Sequence, residues 1–398
     1  MNSLRVYTII PTWGLKNEKL DTNNFFVNQA LALKKAGVHP VVIAIRFLPT
    51  RRLNDLFSFK CESNYTVEGL KVFIYAIYVP IPTVLNGLRD KYISNFYYRI
   101  IKSHINDDVG SGEYDSYIIH AHVSHECAYY CLNAAQKEKL PLIVTEHYSG
   151  LLTGAASKND YIRVRKTIEK ARKFIFVGTH FKEGVCNRLH INKPVYVIPN
   201  LVDKKRFNIR CQKNDCFRFL SAGTLKKNKS FDLAIKAFHS EFKRDERVKL
   251  LIAGDGVERK PLESLVASLN ENERVSFYGE YQKNEASKLF SNSDAFVLTS
   301  EFETFGIVYV EALLCGLPCI GTKGQGADDI INSDNGFLVE YGDIHELQTY
   351  MRFIYEHIDS YDKQSIREVA IEQFSEESVA RRLLAVYQEE INKEGIKP

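Results

Sequence analysis

Short apolar stretches alternate with longer amphipathic ones along most of the chain, and this alternation strongly limits the folds available to it. The stretch LRVYTII at 4–10 is apolar apart from two polar residues, an amphipathic stretch follows at 23–37, and PVVIAI at 40–45 is apolar again. Short, nearly continuous apolar stretches are typical of strands that helices cover on both faces. The sequence therefore predicts an α/β fold with parallel sheets.

The alternation occurs in two series, which the segment IPNLVDKKRF at 198–207 separates. A chain of 398 residues is long enough for two or three domains. We therefore predict two doubly wound Rossmann-like domains that face a central cleft. The expected divisions are an N-terminal domain over 1–199, a C-terminal domain over 200–374 and a final helix over 375–398 that packs back on the N-terminal domain.

Charge and hydropathy exclude several classes of protein. The chain has 53 basic and 49 acidic side chains, a balance too even for a nucleic-acid-binding protein selected by charge. No run of about 18 apolar residues is present, and the N-terminal stretch lacks the pattern of a signal peptide. We therefore expect a cytoplasmic protein.

The eight cysteines form no C-x-x-C motif. Two pairs, Cys127 with Cys131 and Cys315 with Cys319, have i,i+4 spacing within apolar stretches. This pattern favours buried free thiols.

Two glutamates, Glu303 and Glu311, lie in the stretch SEFETFGIVYVEALLCGLPCIG at 300–321. On one helix they would be about 12 Å apart along the axis, whereas a hydrolytic carboxylate pair needs roughly 5 to 9.5 Å. One interpretation is that they hold two parts of one long ligand, while Gly306 opens a helix whose N–H groups face an anion. The alternative is a surface glutamate and a helical glutamate in an ion pair.

Three lysines, Lys226, Lys227 and Lys229, follow a predicted strand in the stretch SAGTLKKNKSFD at 221–232. Ligands of open α/β sheets bind beyond the carboxyl ends of strands, and lysines there suit a diphosphate. The alternative is a solvated basic loop. Neither a Walker motif nor G-x-G-x-x-G is present, which disfavours a dinucleotide oxidoreductase.

Three histidines follow another predicted strand, in the stretch IIHAHVSHE at 118–126. One hypothesis is a zinc hydrolase that uses His120, His122 and His125, although Ser124 stands where the zinc pattern has a carboxylate. The other is that His122, the last strand residue, contacts a sugar. His120 and His125 are then capping or core histidines.

Two glycines, Gly324 and Gly326, follow a predicted strand in TKGQGADDI at 322–330. Glycine allows the backbone to approach a ligand closely, and it is also common in plain turns. Both interpretations remain open.

The order and spacing of these motifs resemble those of the retaining glycosyltransferases of the GT-B architecture, family 4. The matching segments are IIHAH, IPNLVDKKRF, GTLKKNKS, IAGDG, SEFETFGIVYVEALLCGLP and GQGADDI. The resemblance covers essentially the whole chain and is strongest in the C-terminal half. It implies metal-independent transfer of a sugar from a nucleotide-sugar donor, UDP- or GDP-linked, without a further cofactor. The implied acceptor is a glycan or a lipid-linked molecule of surface polysaccharide biosynthesis.

The resemblance also implies a role for individual residues. Lys229 would bind the diphosphate, Glu303 the transferred sugar and Glu311 the ribose. His122 would lie near the sugar and the acceptor. The remaining donor contacts would come from Phe305, Gly306, Ile307, Gly223, Thr224, Gly14 and Gly326.

Four positions depart from the family pattern. Thr224 stands where many members have an arginine; the sequence leaves open whether Lys226 or Lys227 compensates, and turnover would suffer if neither does. Ser230 replaces a glycine, and Gln325 replaces the first glycine of the later pair. Gly14 is the nearest substitute for a glycine pair of the N-terminal loop.

An aromatic, basic stretch, LRDKYISNFYYRIIKSHI at 88–105, has two adjacent apolar rows at helical spacing. One row is Leu88, Tyr92, Phe96 and Ile100, and the other is Ile93, Tyr97, Ile101 and Ile105. Such a helix suits an anionic membrane surface. Together with the apolar stretch 72–85 it suggests a peripheral enzyme on the inner face of the cell membrane. The alternative is an ordinary domain helix with one solvated face.

Three other functions remain as alternatives to a transferase. They are a non-catalytic binder of nucleotide sugars or glycans, the zinc hydrolase, and a GT-B epimerase that acts on a UDP-sugar. The sequence leaves the base, the sugar and the acceptor open.

Overall fold

The computed structural model describes residues 3–11, 15–16, 19–20, 25–50, 58–80, 86–210, 215–243 and 245–392. These residues form two compact units. Unit 1 comprises the described residues of 1–177, 182–199 and 379–398, and unit 2 comprises those of 178–181 and 200–378. The chain thus enters unit 2 after Pro199 and returns to unit 1 after Ser378.

Unit 1 is built on a sheet of eight strands in its described part. Its strands, with a separate antiparallel pair β2 and β3, are β1 (Leu4–Ile10), β2 (Leu15–Lys16), β3 (Lys19–Leu20), β4 (His39–Thr50), β5 (Phe59–Val67), β6 (Leu70–Pro80), β7 (Ser116–His122), β8 (Leu142–Glu146), β9 (Lys173–Phe176) and β10 (Tyr196–Val197). The order in the sheet is β10-β9-β8-β7-β1-β4-β6-β5. All neighbours are parallel except β5 and β6.

Unit 2 is built on a parallel sheet of six strands in its described part. They are β11 (Phe217–Ala222), β12 (Val248–Ala253), β13 (Val275–Gly279), β14 (Ala295–Val297), β15 (Cys319–Thr322) and β16 (Gly336–Val339). The order in the sheet is β13-β12-β11-β14-β15-β16.

Helices connect these strands. Those of the first half are α1 (Phe25–Lys35), α2 (Asn86–Ser111), α3 (Tyr129–Lys137), α4 (Gly150–Thr153), α5 (Lys158–Lys170) and α6 (Thr179–Leu189). Those of the second half are α7 (Phe231–Phe242), α8 (Arg259–Ser268), α9 (Lys283–Ser291), α10 (Ile307–Leu314), α11 (Ile344–Glu356), α12 (Lys363–Phe374) and α13 (Glu376–Ile391).

The central strands are buried as the apolar pattern predicts. Every residue of β1 and of β7 is buried, so both faces of this part of the sheet are covered. The predicted α/β class with two parallel-sheet domains is confirmed.

Each sheet contains one position where the strand order reverses. In unit 1 the chain runs outward from β1 to β4 and β6, then returns to place β7 on the other side of β1. In unit 2 the corresponding neighbours are β11 and β14. Ligands of open α/β sheets bind outside the carboxyl ends of the strands at such a reversal. The loops after β7, β11 and β14 therefore lie where ligands of such sheets bind.

The prediction that the apolar rows of 88–105 face a membrane is wrong. This stretch lies in α2, and the apolar rows are buried in unit 1, with Ile93, Tyr97 and Ile101 fully inaccessible. Leu88 alone of those rows is strongly exposed, at 64%. The alternative, an ordinary domain helix with a solvated face, is confirmed.

The apolar stretch 72–85 is a strand over its described residues. It belongs to β6, which pairs with β4 on one side and β5 on the other, while 81–85 lie outside the described residues. No helix in the described part of the chain is long and apolar enough to cross a membrane.

The two i,i+4 cysteine pairs are buried free thiols, as predicted. Cys127, Cys131, Cys315 and Cys319 are each no more than 1% exposed and form no disulfide.

Candidate active site

The loops after β11 and β14 bring two of the predicted site residues together. Lys229 ends a 3₁₀ turn, Lys227–Lys229, that follows β11. Glu303 lies between β14 and α10. The two side chains form an ion pair at the strand-order reversal of unit 2, and they are only 20% and 15% exposed. Two residues that lie 74 positions apart in sequence are therefore in contact.

The lysine loop rests on two glycines of the segment IAGDG. A Cβ atom on Gly254 would lie 1.9 Å from the Gly223 carbonyl oxygen, and one on Gly256 would lie 2.4 Å from that of Leu225. The Leu225 amide donates to the Asp255 carbonyl oxygen at 3.0 Å. These glycines therefore allow close backbone packing beneath the residues that precede Lys229.

The lysines of this loop differ in their surroundings. Lys226 and Lys227 are exposed, as is Thr224, whereas Lys229 is half-buried against Glu303. Lys226 and Lys227 thus have the exposure expected of a solvated basic loop, whereas Lys229 does not.

The loop that carries Glu303 is fixed by the loop after β15. The Glu303 amide donates to Gln325 Oε1 at 3.2 Å, and the Gly326 amide donates to the Glu303 carbonyl oxygen at 2.9 Å. A Cβ atom on Gly326 would lie 2.5 Å from the backbone nitrogen of Phe305. The sequence identified Gln325 only as a departure from a pattern, whereas the structure gives it a role in holding Glu303.

Helix α10 begins directly after this loop. Gly306 precedes it with φ +89°, a conformation that favours glycine, and the buried Phe305 packs against Phe374 at 5.7 Å between ring centroids. Ile307 is the first helical residue, so amide groups of the first turn have no acceptor within the helix. Glu303 lies in the loop before this helix, so the single-helix spacing considered for the two glutamates does not apply.

Glu311 lies one turn into α10, about 6 Å along the axis from Ile307. The Glu311 carboxylate lies close enough to Tyr281 to affect the pKa of its hydroxyl. Burial, which is the larger cause, and the negative charge of Glu311 both raise this pKa. Lys229, Glu303 and Glu311 thus lie on two adjacent loops and the helix that follows one of them.

In unit 1, His122 ends β7 and contacts a second histidine. His122 Nδ1 lies 3.1 Å from Nε2 of His147, the residue that follows β8. Phe26 packs against both rings, at 4.8 Å and 5.1 Å between ring centroids. His122 Nε2 and His147 Nδ1 are buried without a hydrogen-bond partner among the described residues.

His120 is fully occupied by hydrogen bonds. Its Nδ1 lies 2.6 Å from the hydroxyl of Tyr387 in α13, and its Nε2 lies 2.8 Å from Thr145 Oγ1. His125 lies in the π-helical turn Ser124–Ala128 with its ring against Tyr148. Within the described ranges, no three His, Cys, Asp or Glu side chains form a group able to hold a metal ion. The ligand set of the zinc hypothesis is therefore not assembled.

Burial keeps the histidine cluster neutral. It lowers the pKa of His120 and His147 to about 3, and it lowers the pKa of His122 well below the usual value. At neutral pH each ring therefore carries a single N–H group.

The backbone after His122 is strained. Val123 has φ +66°, which is a rare conformation for a β-branched residue, and it is completely buried. The Val123 amide donates to the Thr145 carbonyl oxygen at 3.0 Å. The next residues are tied to Glu146, whose carboxylate accepts from the amides of Ser124, His147 and Tyr148 at 2.8 Å each. Strain of this kind clusters at functional sites.

Sequence reasoning missed His147 and Glu146. A single glutamate and histidine at the end of a strand form no recognisable pattern, and only the pairing of β7 with β8 places them beside His122. Gly14, the one predicted site residue of the N-terminal loop, lies outside the described residues.

Comparisons with known proteins agree with this fold. The family model "Glycosyltransferase Family 4" matches residues 22–206, and the model "Glycosyl transferases group 1" matches residues 203–368. The chain belongs to the glycosyltransferases that these two models describe, and it has the GT-B fold. It is a group 1 glycosyltransferase, an enzyme that transfers a sugar from a nucleotide-sugar donor.

Individual relatives are distant. N-acetyl-alpha-D-glucosaminyl L-malate synthase of Bacillus anthracis is 26% identical over 291 residues, which are 68% of this chain and 74% of that protein. Sucrose-phosphate synthase of Thermosynechococcus elongatus matches with a TM-score of 0.72 at 18% identity, over 98% of this chain and 100% of that one. Anabaena HepE in complex with UDP and glucose matches with a TM-score of 0.69 at 17% identity, over 97% and 99%.

Proposed function

We propose that unit 2 binds the nucleotide-sugar donor through the adjacent loops of Lys229 and Glu303. The ion pair between these side chains at the strand-order reversal carries the proposal, because it puts a cation and a hydrogen-bond acceptor within reach of one ligand. Lys229 then binds the diphosphate, and Glu303 accepts hydrogen bonds from hydroxyl groups of the transferred sugar. The amides of Phe305, Gly306 and Ile307 lie at a helix start, which suits an anion.

Further donor contacts follow from the same arrangement. Glu311, one turn into α10, binds the ribose hydroxyls. Gly223, Thr224 and Gly326 flank the phosphates and the sugar, and we assign Gly14 to the phosphates by family resemblance alone. His122 in unit 1 contacts the transferred sugar or the acceptor. We propose UDP or GDP as the nucleotide part, with UDP favoured because the structural relative HepE binds UDP.

We propose that the reaction retains the anomeric configuration. The bond between the anomeric carbon and the diphosphate oxygen breaks, and the acceptor oxygen attacks from the same face. The proton of the acceptor hydroxyl passes to an oxygen of the leaving diphosphate. Such a reaction needs stabilisation of the leaving group rather than a protein base, and Lys229 with the α10 amides supplies it.

These cationic and dipolar groups also support transfer without a metal ion or a cofactor. Transfer is expected to proceed at an unchanged rate in EDTA, compared with the same protein in Mg²⁺. A rate that falls in EDTA and returns with added Mg²⁺ would contradict metal independence.

For the acceptor, we propose a glycan or a lipid-linked molecule of surface polysaccharide biosynthesis, used at the inner face of the cell membrane. The basic residues Lys91 and Arg99 of α2 are exposed, which suits an anionic surface, although the apolar rows are buried. The Bacillus anthracis relative is named as a synthase of a glucosaminyl malate, so an acceptor panel should include small hydroxy acids beside oligosaccharides and lipid-linked sugars. Transfer to malate alone would contradict the glycan proposal.

A thermal-shift screen with UDP-, GDP- and ADP-sugars tests donor binding directly, because a bound ligand raises the unfolding temperature. One donor class is expected to raise it in the wild type. Glu311→Ala should weaken this response, and Glu303→Ala should mainly lower the transfer rate. Glu301→Ala, at an exposed position of the same loop, is the matched control. Equal donor affinity in wild type and Glu311→Ala would contradict the ribose assignment.

The same assay separates the remaining alternatives. A non-catalytic binder would respond to a donor yet give neither hydrolysis nor transfer over the whole panel. An epimerase would convert the sugar while it is still attached to UDP. Release of free nucleoside diphosphate together with a glycosylated acceptor supports the transferase.

A further inference from the structure

In the hydrogen bond between His122 and His147 one ring is the donor and the other the acceptor, and the family assignment does not say which. The two residues end neighbouring parallel strands, in a register that pairs His122 with Thr145. Their facing nitrogens, His122 Nδ1 and His147 Nε2, are 3.1 Å apart, which is a hydrogen-bond distance. Because both rings are neutral, one of these two nitrogens must carry the proton and the other must accept it.

Two arrangements satisfy this contact. If His122 donates from Nδ1, the proton of His147 must sit on its own Nδ1, which is buried without a partner among the described residues. If His147 donates from Nε2, its Nδ1 is an unpaired acceptor, and the proton of His122 sits on Nε2. Buried N–H groups without an acceptor are rarer in proteins than buried acceptors without a donor. The second arrangement is therefore the stable one whenever a ligand accepts from His122 Nε2.

We propose that His147 is a positioning residue, which donates Nε2–H to His122 Nδ1 and so fixes His122 with its proton on Nε2. His122 then offers a hydrogen-bond donor, not a base, to the ligand. This inference rests on the proposed function, in which His122 contacts the transferred sugar or the acceptor. The ligand atom at His122 Nε2 is accordingly an oxygen with a free lone pair, on the transferred sugar or on the acceptor.

The surroundings of His122 leave its ring few other orientations. His120 packs on one side at 4.6 Å between ring centroids, and Phe26 packs at 4.8 Å. His120 itself is held at both nitrogens by Tyr387 and Thr145. The strained and buried Val123 fixes the chain directly after His122. The His147 hydrogen bond thus selects the tautomer of a ring whose orientation the packing already limits.

The tautomer can be measured without any transfer, in protein saturated with the donor that the thermal-shift screen selects and in the absence of an acceptor. In ¹⁵N-histidine-labelled protein at pH 7.5, long-range ¹⁵N–¹H spectra distinguish protonated from unprotonated ring nitrogens, and His122→Phe identifies the signals by their loss. We expect Nε2 of His122 and Nε2 of His147 to be protonated. Protonation of His122 at Nδ1 would overturn the proposal, whether or not the protein transfers sugar.

Steady-state kinetics test the consequence for catalysis. His147→Gln keeps an N–H donor near the position of Nε2 and should retain kcat within about threefold. His147→Phe should lower kcat on the order of 100-fold with little change in the donor KM, as expected when a reacting group loses its orientation. His190→Asn, at an exposed turn, is the control and should have the wild-type rate.

Each outcome separates this proposal from the proposed function. Equal kcat in His147→Phe and the wild type would overturn the positioning role. If His147→Phe does not fold, a His147→Gln variant that is folded but about 100-fold slower would overturn it equally. A wild-type protein with the expected tautomer but no transfer to any acceptor would contradict the proposed function and leave the tautomer assignment intact.

Discussion

Lys229 differs from the other two lysines of its loop because it is half-buried and, among the described residues, it alone of the three has an ion-pair partner. A half-buried cation next to a ligand contributes more than an exposed one, since solvent screens it less. Lys229→Met should therefore lower kcat/KM by about 100-fold or more, the range found when one stabilising group of a developing anion is removed.

Lys227→Met is the matched control, because this side chain is exposed in the same turn. It should change kcat/KM by less than about threefold if Lys227 only faces solvent. A large loss in Lys227→Met with a small loss in Lys229→Met would reverse the assignment of the diphosphate lysine. It would also show that an exposed lysine compensates for Thr224.

Ser230 shows why the family pattern has a glycine after the lysine. Its φ is +51°, in the left-handed region, where a side chain costs roughly 1–2 kcal/mol. Its Oγ atom lies 3.2 Å from the hydroxyl of Tyr341. Ser230→Gly and Ser230→Ala both lose this contact, but only the alanine keeps the backbone strain.

We therefore expect Ser230→Gly to be more stable than Ser230→Ala by about 1 kcal/mol, measured by urea unfolding. The glycine variant should also keep the Lys229 turn, so donor binding in the thermal-shift assay should be retained. Equal stability of the two variants would show that the strain is relieved elsewhere.

At the scale of elements, the loop after β15 holds the loop before α10 through a backbone contact that leaves no room for a side chain. Gly326→Ala would place a methyl group 2.5 Å from the Phe305 backbone, a distance that real structures essentially never show. The two loops must separate, and the hydrogen bond between the Gly326 amide and the Glu303 carbonyl oxygen is then lost. Loss of donor binding and a destabilisation of about 1–3 kcal/mol are expected.

Gly110→Ala is the control for this prediction. Gly110 lies within α2, and a Cβ atom there would meet no other atom within 4 Å. Alanine in a helix is more stable than glycine by about 0.5–1 kcal/mol, so this variant should be slightly stabilised and fully active. Retained donor binding in Gly326→Ala would mean that the Glu303 loop does not depend on this contact.

The elements that sequence reasoning found and missed follow a physical rule. Strands buried on both faces, such as β1 and β7, are mainly apolar and were predictable. The edge strand β5, FKCESNYTV, is mostly polar and exposed, so it has no such signal. The sequence of its partner β6 is mainly apolar, and this pattern alone suggests a segment near a membrane rather than a strand. The rows of α2 had the pattern of an amphipathic helix, but sequence alone does not say whether protein or lipid covers its apolar face.

The candidate site shows the same limit. Lys229 and Glu303 were predictable because both follow strands, and parallel strands end at one edge of a sheet. Gln325 and His147 were not, since their roles depend on a single contact each, with the Glu303 amide and with His122 Nδ1. Such contacts exist only after the loops have folded.

At the scale of the whole molecule, we expect acid to lower the stability of unit 1 more than that of unit 2. Unit 1 keeps three neutral histidines buried side by side, and burial lowers the pKa of His120 and His147 to about 3. An unfolded histidine has a pKa of about 6.5, so the unfolded chain binds protons that the folded unit does not. The stability that these rings contribute is therefore present above about pH 6.5 and is lost as the pH falls toward 3.

One carboxyl group of unit 1 acts in the opposite direction. Burial, and then the charges of Asp160 and Glu146, raise the pKa of Glu126 to about 6. Its contribution is complete below about pH 4.5 and is lost as the pH rises through 6, so acid favours the folded state at this residue. Between pH 7.5 and pH 5.0 we expect a loss of about 2 kcal/mol each for His120 and His147 and a gain of about 1 kcal/mol from Glu126. The histidines outweigh the glutamate.

Hydrogen exchange measured by peptide, and corrected for the intrinsic pH dependence, checks this balance. The free energy of opening should fall by several kcal/mol between pH 7.5 and 5.0 for β7 and β8, which carry or adjoin the cluster. It should change much less for β11 and β12, whose sequences contain no histidine. His120→Gln removes one of the three proton-binding sites and should reduce the fall at β7, whereas His190→Asn should leave it unchanged. If β7 and β11 lost protection equally, acid would act on the whole molecule through its net charge, and the buried histidines would not be the cause.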